Sequence, residues 1–257
     1  MRNIAILALL LGFLCASCAS TKTDWATAPV AMTSTEYGNQ DADSIAGRVI
    51  KTDTAKLETN DPVHISVEYP VFHQEKIDAA VLAWARDRLE REQSHFRDLT
   101  DESAFEPAEG LSQEDIDAEL ARMREERKDY MYECTASVLE YDPEQGASIL
   151  FSESAFAGGA HGSYNFATLI LDEKGLETDP WEVFPSPSEG AKILSDACRE
   201  QFSHTELDRD MYMDGTKPDP INFRWMVRRG DYIVVYFEPY AVATWADGPQ
   251  VCVYKLP

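Results

Sequence analysis

Apolar residues recur along this chain in two periods, and the switches between them predict its elements. His64-Ile65-Ser66-Val67-Glu68-Tyr69 carries β-branched and aromatic residues at strand density, and Pro70 marks a strand end or an edge. Strands are therefore predicted at about 47–58 and 63–72. From about 74 to 99 the period becomes helical, with Ile77, Val81, Trp84, Ala85, Leu89 and Phe96 on one broad face. A second helix, about 113–127, places Ile116, Leu120 and Met123 on one stripe behind Ser112, a natural N-cap. The rest of its surface is almost wholly charged, which suits a solvated cover. From Tyr130 alternation returns: Tyr132, Cys134, Ala136 and Val138 lead to a turn at 142–146, and Ile149-Leu150-Phe151 opens the return strand. Phe166 to Leu171 and the turn 172–175 predict another hairpin. Ser186-Pro187-Ser188-Glu189 combines a capping box with proline at the first helical position, opening a helix over about 187–203 that buries Ile193, Leu194, Ala197 and Cys198. Strands at about 221–228, 231–238 and 249–255 close the chain.

This order predicts an α+β fold, mainly antiparallel sheet with helices packed on it, in two small subdomains. The expected division is 46–152 and 153–257.

The N-terminal segment has another character. Met1 to Ser17 reads as a signal peptide: Arg2 is the positive end, Ile4 to Leu14 an uncharged apolar run, and Ala16-Ser17 the small pair before Cys18. The run is shorter than the roughly 20 residues that span a bilayer. Cys18 is the expected site of lipid attachment, though Cys15 replaces the leucine usual in a bacterial lipobox, and an ordinary cleavage near Ala19 is the alternative. Each buried methylene of an acyl chain contributes about 0.8 kcal/mol to membrane binding. Residues 18–45, rich in Thr, Ser, Ala and Asp, read as a lipidated flexible tether. The implied location is the bacterial cell envelope, lipid-anchored. By resemblance to sorted lipoproteins, Ala19 favours the outer membrane, facing the periplasm, where two membranes exist.

Charge then narrows the partners. Loss of the leader leaves 22 basic against 46 acidic residues, a net charge of −24. Nucleic acid is excluded, because binding phosphates requires a positive footprint. A cationic partner is favoured, or the charge serves solubility alone; screening within about 8 Å confines the field to encounter and orientation. With 44% hydrophobic residues the chain has the means to fold. Three cysteines remain after processing: Cys134, Cys198 and Cys252. One disulfide is possible outside the cytosol, and the spacing does not choose among the three pairings or against three reduced thiols.

Candidate chemistry gathers late in the chain. His161 follows Gly158-Gly159, and histidine titrates near neutral pH, but no arrangement of nucleophile, base and orienting group accompanies it. The simpler expectation is a tight turn that uses positive φ at Gly158 and Gly159, with His161 anchoring it through ring hydrogen bonds or contacting a ligand. Tyr240 to Trp245 reads as a loop between the last two strands, its rings serving as a rigid anchor or as core. Glu238 and Asp247 flank it and would suit a basic partner. Asp208, Asp210 and Asp214 imitate a calcium loop, but Met213 occupies the position where an EF-hand needs glycine. No metal and no cofactor is expected. Arg229-Gly230-Asp231 spells an integrin tripeptide that a hairpin turn explains.

Two stretches carry a family resemblance: Phe156-Ala157-Gly158-Gly159-Ala160-His161-Gly162 with Asn165 and Trp181-Glu182-Val183-Phe184, and Val235 to Ala243 with Gly248-Pro249. In order and spacing, 155–256 resembles the extracellular domain of unknown function shared by the anti-sigma factor RsiV and the peptidoglycan deacetylase PdaC. Residues 46–152 look like its companion domain. The resemblance implies an α+β fold and a role in binding, of which lysozyme is the best-understood ligand. Ala241 replaces an acidic residue common after Pro-Tyr, and Trp245 replaces a usual tyrosine. No His-x-x-x-His pair occurs, so a deacetylase metal site has no basis here. Nor is a sigma-binding segment or membrane span evident, so signal relay is not expected. The expected function is a non-catalytic envelope lipoprotein that binds a protein or cell-wall ligand, such as a cationic lysozyme-like protein; the alternative is a hydrolase or deacetylase of peptidoglycan.

Overall fold

The computed structural model describes residues 49–159 and 161–257. The leader, Cys18 and the tether lie outside them. The first sheet contains β1 (Asp53–Thr59), β2 (His64–Val71), β3 (Met131–Asp142), β4 (Gly146–Phe156) and β5 (Ser163–Leu171), in spatial order β1-β2-β3-β4-β5. Its pairs are antiparallel except β2 with β3, which run parallel. A parallel pair cannot be joined by a tight turn. The connection here holds α1 (Glu75–Thr100) and α2 (Gln113–Glu126).

Alternation sorts the two faces of this sheet. Ile65, Val67, Tyr132, Cys134, Ile149, Phe151, Leu169 and Leu171 are buried in one cluster with Ile77, Val81, Ala85 and Phe96 of α1. Trp84 and Leu89 pack half-buried against the same core. Helix α2 buries no residue fully, and its Ser112–Asp115 capping box fixes its start. It is the solvated cover its composition implies.

The second sheet is β6 (Met226–Arg229), β7 (Tyr232–Phe237) and β8 (Gln250–Lys255), antiparallel in that order. Ile233, Val235, Phe237 and Cys252 pack under α3 (Pro187–Phe202), which contributes Ala191, Leu194, Cys198 and Phe202. The buried stripe is thus rotated from the expected one: Ile193 and Ala197 are only half-buried. Val227, Val234 and Tyr236 point the other way and pack on Leu139, Leu150 and Phe166 of the first sheet. The layers therefore run helix, sheet, sheet, helix. Glu140 accepts from the Gly230 N–H at 3.2 Å, and the Ser148 hydroxyl donates to the Arg228 carbonyl at 3.3 Å, joining the two sheets.

The fold is α+β, as the periodicity implies. Three local features differ. Residues 220–223 form a 3-10 turn instead of strand, because Pro220 fixes its first position and Asp219 accepts from the Ile221 N–H. A short helix, α4 (Arg209–Gly215), is capped by Asp208. The β6–β7 turn is Gly230-Asp231, and Arg229 pairs with Tyr232 as the last residue of β6. The division expected at residue 152 falls inside β4, and the change of sheet comes between Leu171 and Met226.

Cys198 and Cys252 form a disulfide that joins α3 to β8, their Cα atoms 5.4 Å apart. Cys134 is a free thiol in the first core. Burial pushes it well above the usual thiol range, so it behaves as a packing residue.

Candidate functional site

Two loops from distant parts of the chain meet at one surface. The first connects β4 to β5. Gly158 and Gly159 adopt φ of 92° and 94°, a region costly for side chains with Cβ, as expected for this turn. A Cβ on Gly158 would lie 3.2 Å from the Tyr130 hydroxyl, and one on Gly162 would lie 2.7 Å from the Ala155 carbonyl oxygen. The tight turn leaves His161 exposed. Its Nδ1 sits 2.8 Å from the Gly162 carbonyl oxygen, which can only accept. Nδ1 therefore carries a proton in this contact.

The second loop leaves β7 at Phe237. Val242 and Ala243 are buried and anchor it, while the Ala241 N–H donates to the Glu238 backbone carbonyl and the Tyr240 N–H to the Ala243 carbonyl. Beneath it, Gly215 approaches so closely that a Cβ there would fall 1.8 Å from the Ala241 carbonyl oxygen. Tyr240 holds φ of 71°, unusual for a bulky residue, and is 57% exposed. Trp245 opens a 3-10 turn and is half-buried.

His161 stacks on Trp245, with ring centroids 4.8 Å apart and planes 25° from parallel. Tyr240 lies 5.9 Å from Trp245 and 6.4 Å from His161. Three of the residues singled out from sequence thus form one aromatic cluster. The two acids that flank it are held differently. Glu238 forms an ion pair with Arg224, whose guanidinium lies 5.1 Å above the Trp225 ring. Asp247 accepts from the Thr244 N–H at 3.0 Å and the Thr244 hydroxyl at 2.5 Å, completing a capping box. Glu238 is thus charge-paired, whereas exposed Asp247 is positioned by Thr244 and keeps its negative charge.

Other motif residues have structural work. Trp181 and Phe184 pack together, 5.9 Å between centroids, and a Cβ on Gly190 of α3 would meet the Phe184 ring at 2.7 Å. Asp208 caps α4 and Asp214 pairs with Lys217. Among the described residues, no three His, Cys, Asp or Glu side chains gather in a metal-holding group.

A second polar group escaped the sequence reading. Under α1, Arg88 contacts Glu153 at 3.1 Å and Glu92 at 3.5 Å, and its guanidinium lies 5.4 Å from the centre of the Trp84 ring. Trp84 stacks on Phe151 at 3.7 Å. Glu153 is only 5% exposed, and burial holds its carboxyl above the usual range despite Arg88. Cys134 and Asn165 flank it across the strands. Alternation could have found this group, since Glu153 continues the inward series Ile149, Phe151. It binds helix to sheet and exposes little surface for chemistry.

No family model matches the chain. Over 197 residues, 74% of this chain, it is 28% identical to peptidoglycan-N-acetylmuramic acid deacetylase PdaC of Bacillus subtilis, and the match spans 37% of that protein's length. Two solved structures share its fold: a DUF3298 family member from Bacteroides fragilis and a DUF3298 family protein from Pseudomonas aeruginosa PAO1. Each has a TM-score of 0.50 at 14% identity. The first likeness covers 80% of this chain and 90% of the other, and the second 81% and 91%. These likenesses show that the chain shares the fold of the two DUF3298 structures. No helix among the described residues is long and apolar enough to cross a membrane.

Proposed function

We propose that this protein carries a domain of the DUF3298 type and is a lipid-anchored envelope protein that recognises a protein or cell-wall ligand and makes or breaks no bond in it. One observation carries the reading. The two family-like loops converge on an exposed aromatic surface, where the partners of His161 among the described residues are a neighbouring carbonyl and two rings. Aromatic side chains grouped on a rigid base are the usual anchors of recognition surfaces. The similarity to a protein named as a peptidoglycan deacetylase favours an envelope setting and a cell-wall connection. Anchorage through Cys18, and the outer membrane as its place, belong to the same proposal, as does kinship with the lysozyme-binding RsiV domain.

The charge favours a second form of the reading, in which a cationic lysozyme-like protein is steered to the acidic body. Titrating the protein with c-type lysozyme at low and high salt tests it, and absence of binding at low salt would end it. Incubation with muropeptides tests the non-catalytic reading: no product should appear, whereas turnover would favour the hydrolase or deacetylase alternative. Membrane retention of a Cys18→Ser variant would count against acylation.

A further inference from the structure

We infer that the His161–Tyr240–Trp245 cluster is a carbohydrate subsite, taking one uncharged pyranose ring of a glycan such as an N-acetylhexosamine strand. The inference rests on the reading that these loops bind without cleaving, and it names the class of ligand.

Charge is the first argument. A site for a cationic protein should offer several free carboxylates, and of the two nearest in sequence Glu238 is neutralised by Arg224 and only Asp247, held by the Thr244 hydroxyl and N–H, keeps an unpaired charge. What the surface offers is ring faces, the Tyr240 hydroxyl and the His161 imidazole. A pyranose has the complementary pattern, an apolar C–H face rimmed by hydroxyls. Aromatic residues with a polar handle suit such a half-apolar ligand.

Shape is the second. Three rings in single file would place the outer two about twice as far apart as neighbours, yet His161 and Tyr240 are separated by only 6.4 Å. The three rings therefore form one compact triangle, a patch about the size of one sugar ring and far smaller than a protein interface.

Backbone strain is the third. Tyr240 adopts a left-handed conformation, φ 71°, although the residue is 57% exposed and not buried in the core. The conformation instead holds the ring beside Trp245. Buried Val242 and Ala243, with Gly215 beneath Ala241, fix the loop before any ligand arrives. Such preorganisation lowers the ordering cost of binding.

The test uses the full-length protein in detergent, with chitotetraose as the glycan probe and c-type lysozyme as the protein probe, read by calorimetry and tryptophan fluorescence. Saturable chitotetraose binding that is unaffected by salt is expected. Trp245→Ala and Tyr240→Ala should each weaken it by about tenfold or more with circular dichroism unchanged. Trp245→Phe, which keeps a ring, should fall between. Failure of chitotetraose to bind, or equal binding by folded Trp245→Ala, would overturn the inference. Salt-sensitive binding of lysozyme alone, lost in the same variants, would overturn the sugar ligand and leave the binding reading standing. Shortened or deacetylated products would overturn both.

Discussion

The two sheets are each covered by one main helix, yet they are held together differently. The five-stranded sheet lies under the long α1, and its core accommodates Arg88 and Glu153 as a buried ion pair beside a free thiol. The three-stranded sheet has short strands and a shorter helix, and its core contains the Cys198–Cys252 crosslink. A larger core buries more apolar surface per residue and can tolerate a charged pair, whereas a small one gains most from a covalent constraint. The exposed aromatic cluster draws on both halves, with His161 from the first-sheet hairpin and Tyr240 and Trp245 from the second sheet. Its geometry therefore depends on the docking between them.

The largest expected effect is on the smaller half. Closing a loop with a separation of 54 residues stabilises by about 4 kcal/mol in the chain-entropy account. A Cys198→Ser, Cys252→Ser variant should lose about that much in denaturant unfolding, with hydrogen exchange rising first in β7 and β8. Equal loss of protection across both sheets would break the comparison. Next, Glu153→Ala should cost about 3 kcal/mol, because it leaves Arg88 largely buried without its closest carboxylate. Acidity sharpens this test. The folded carboxyl of Glu153 lies above its usual range, so the native state binds that proton more tightly than the unfolded chain. Its contribution is therefore fully present below the usual carboxylate range and is lost as pH rises through the raised folded value. Glu153→Gln should remove that part of the pH slope in melting experiments, and an unchanged slope would show that Glu153 does not titrate there.

Gly215→Ala comes third, at about 2 kcal/mol, since the new methyl would collide with the Ala241 backbone. It should also displace Tyr240 and weaken ligand binding, although residue 215 lies outside the aromatic cluster. Gly159→Ala is the mildest. The added Cβ meets no atom within 4 Å, so only the left-handed backbone is penalised, by about 1 kcal/mol in thermal unfolding.

Much of this was legible locally. Ser112 and Ser186 announced their helices through side-chain capping, which is decided within four residues. The Gly158-Gly159 turn was equally local. Glu238 and Asp247 show where such reading stops: their types suggested free acidic flanks, but Arg224 and Thr244 claim them. Glu153 was hidden differently, as its partner Arg88 lies on a helix far back in the sequence. Residues 220–223 looked like strand because their composition allows it, and the Asp219-Pro220 cap prevailed.

Periodicity, capping and composition, read over a few residues at a time, were enough for the sequence alone to determine most of the elements, the α+β class and the strong net negative charge. Only the tertiary structure decided that β2 pairs parallel with β3, that Cys198 finds Cys252, and that His161 rests on Trp245. Those choices depend on which faces are buried against each other across long separations. Burial is a property of the whole packed assembly, and no local pattern encodes its partner.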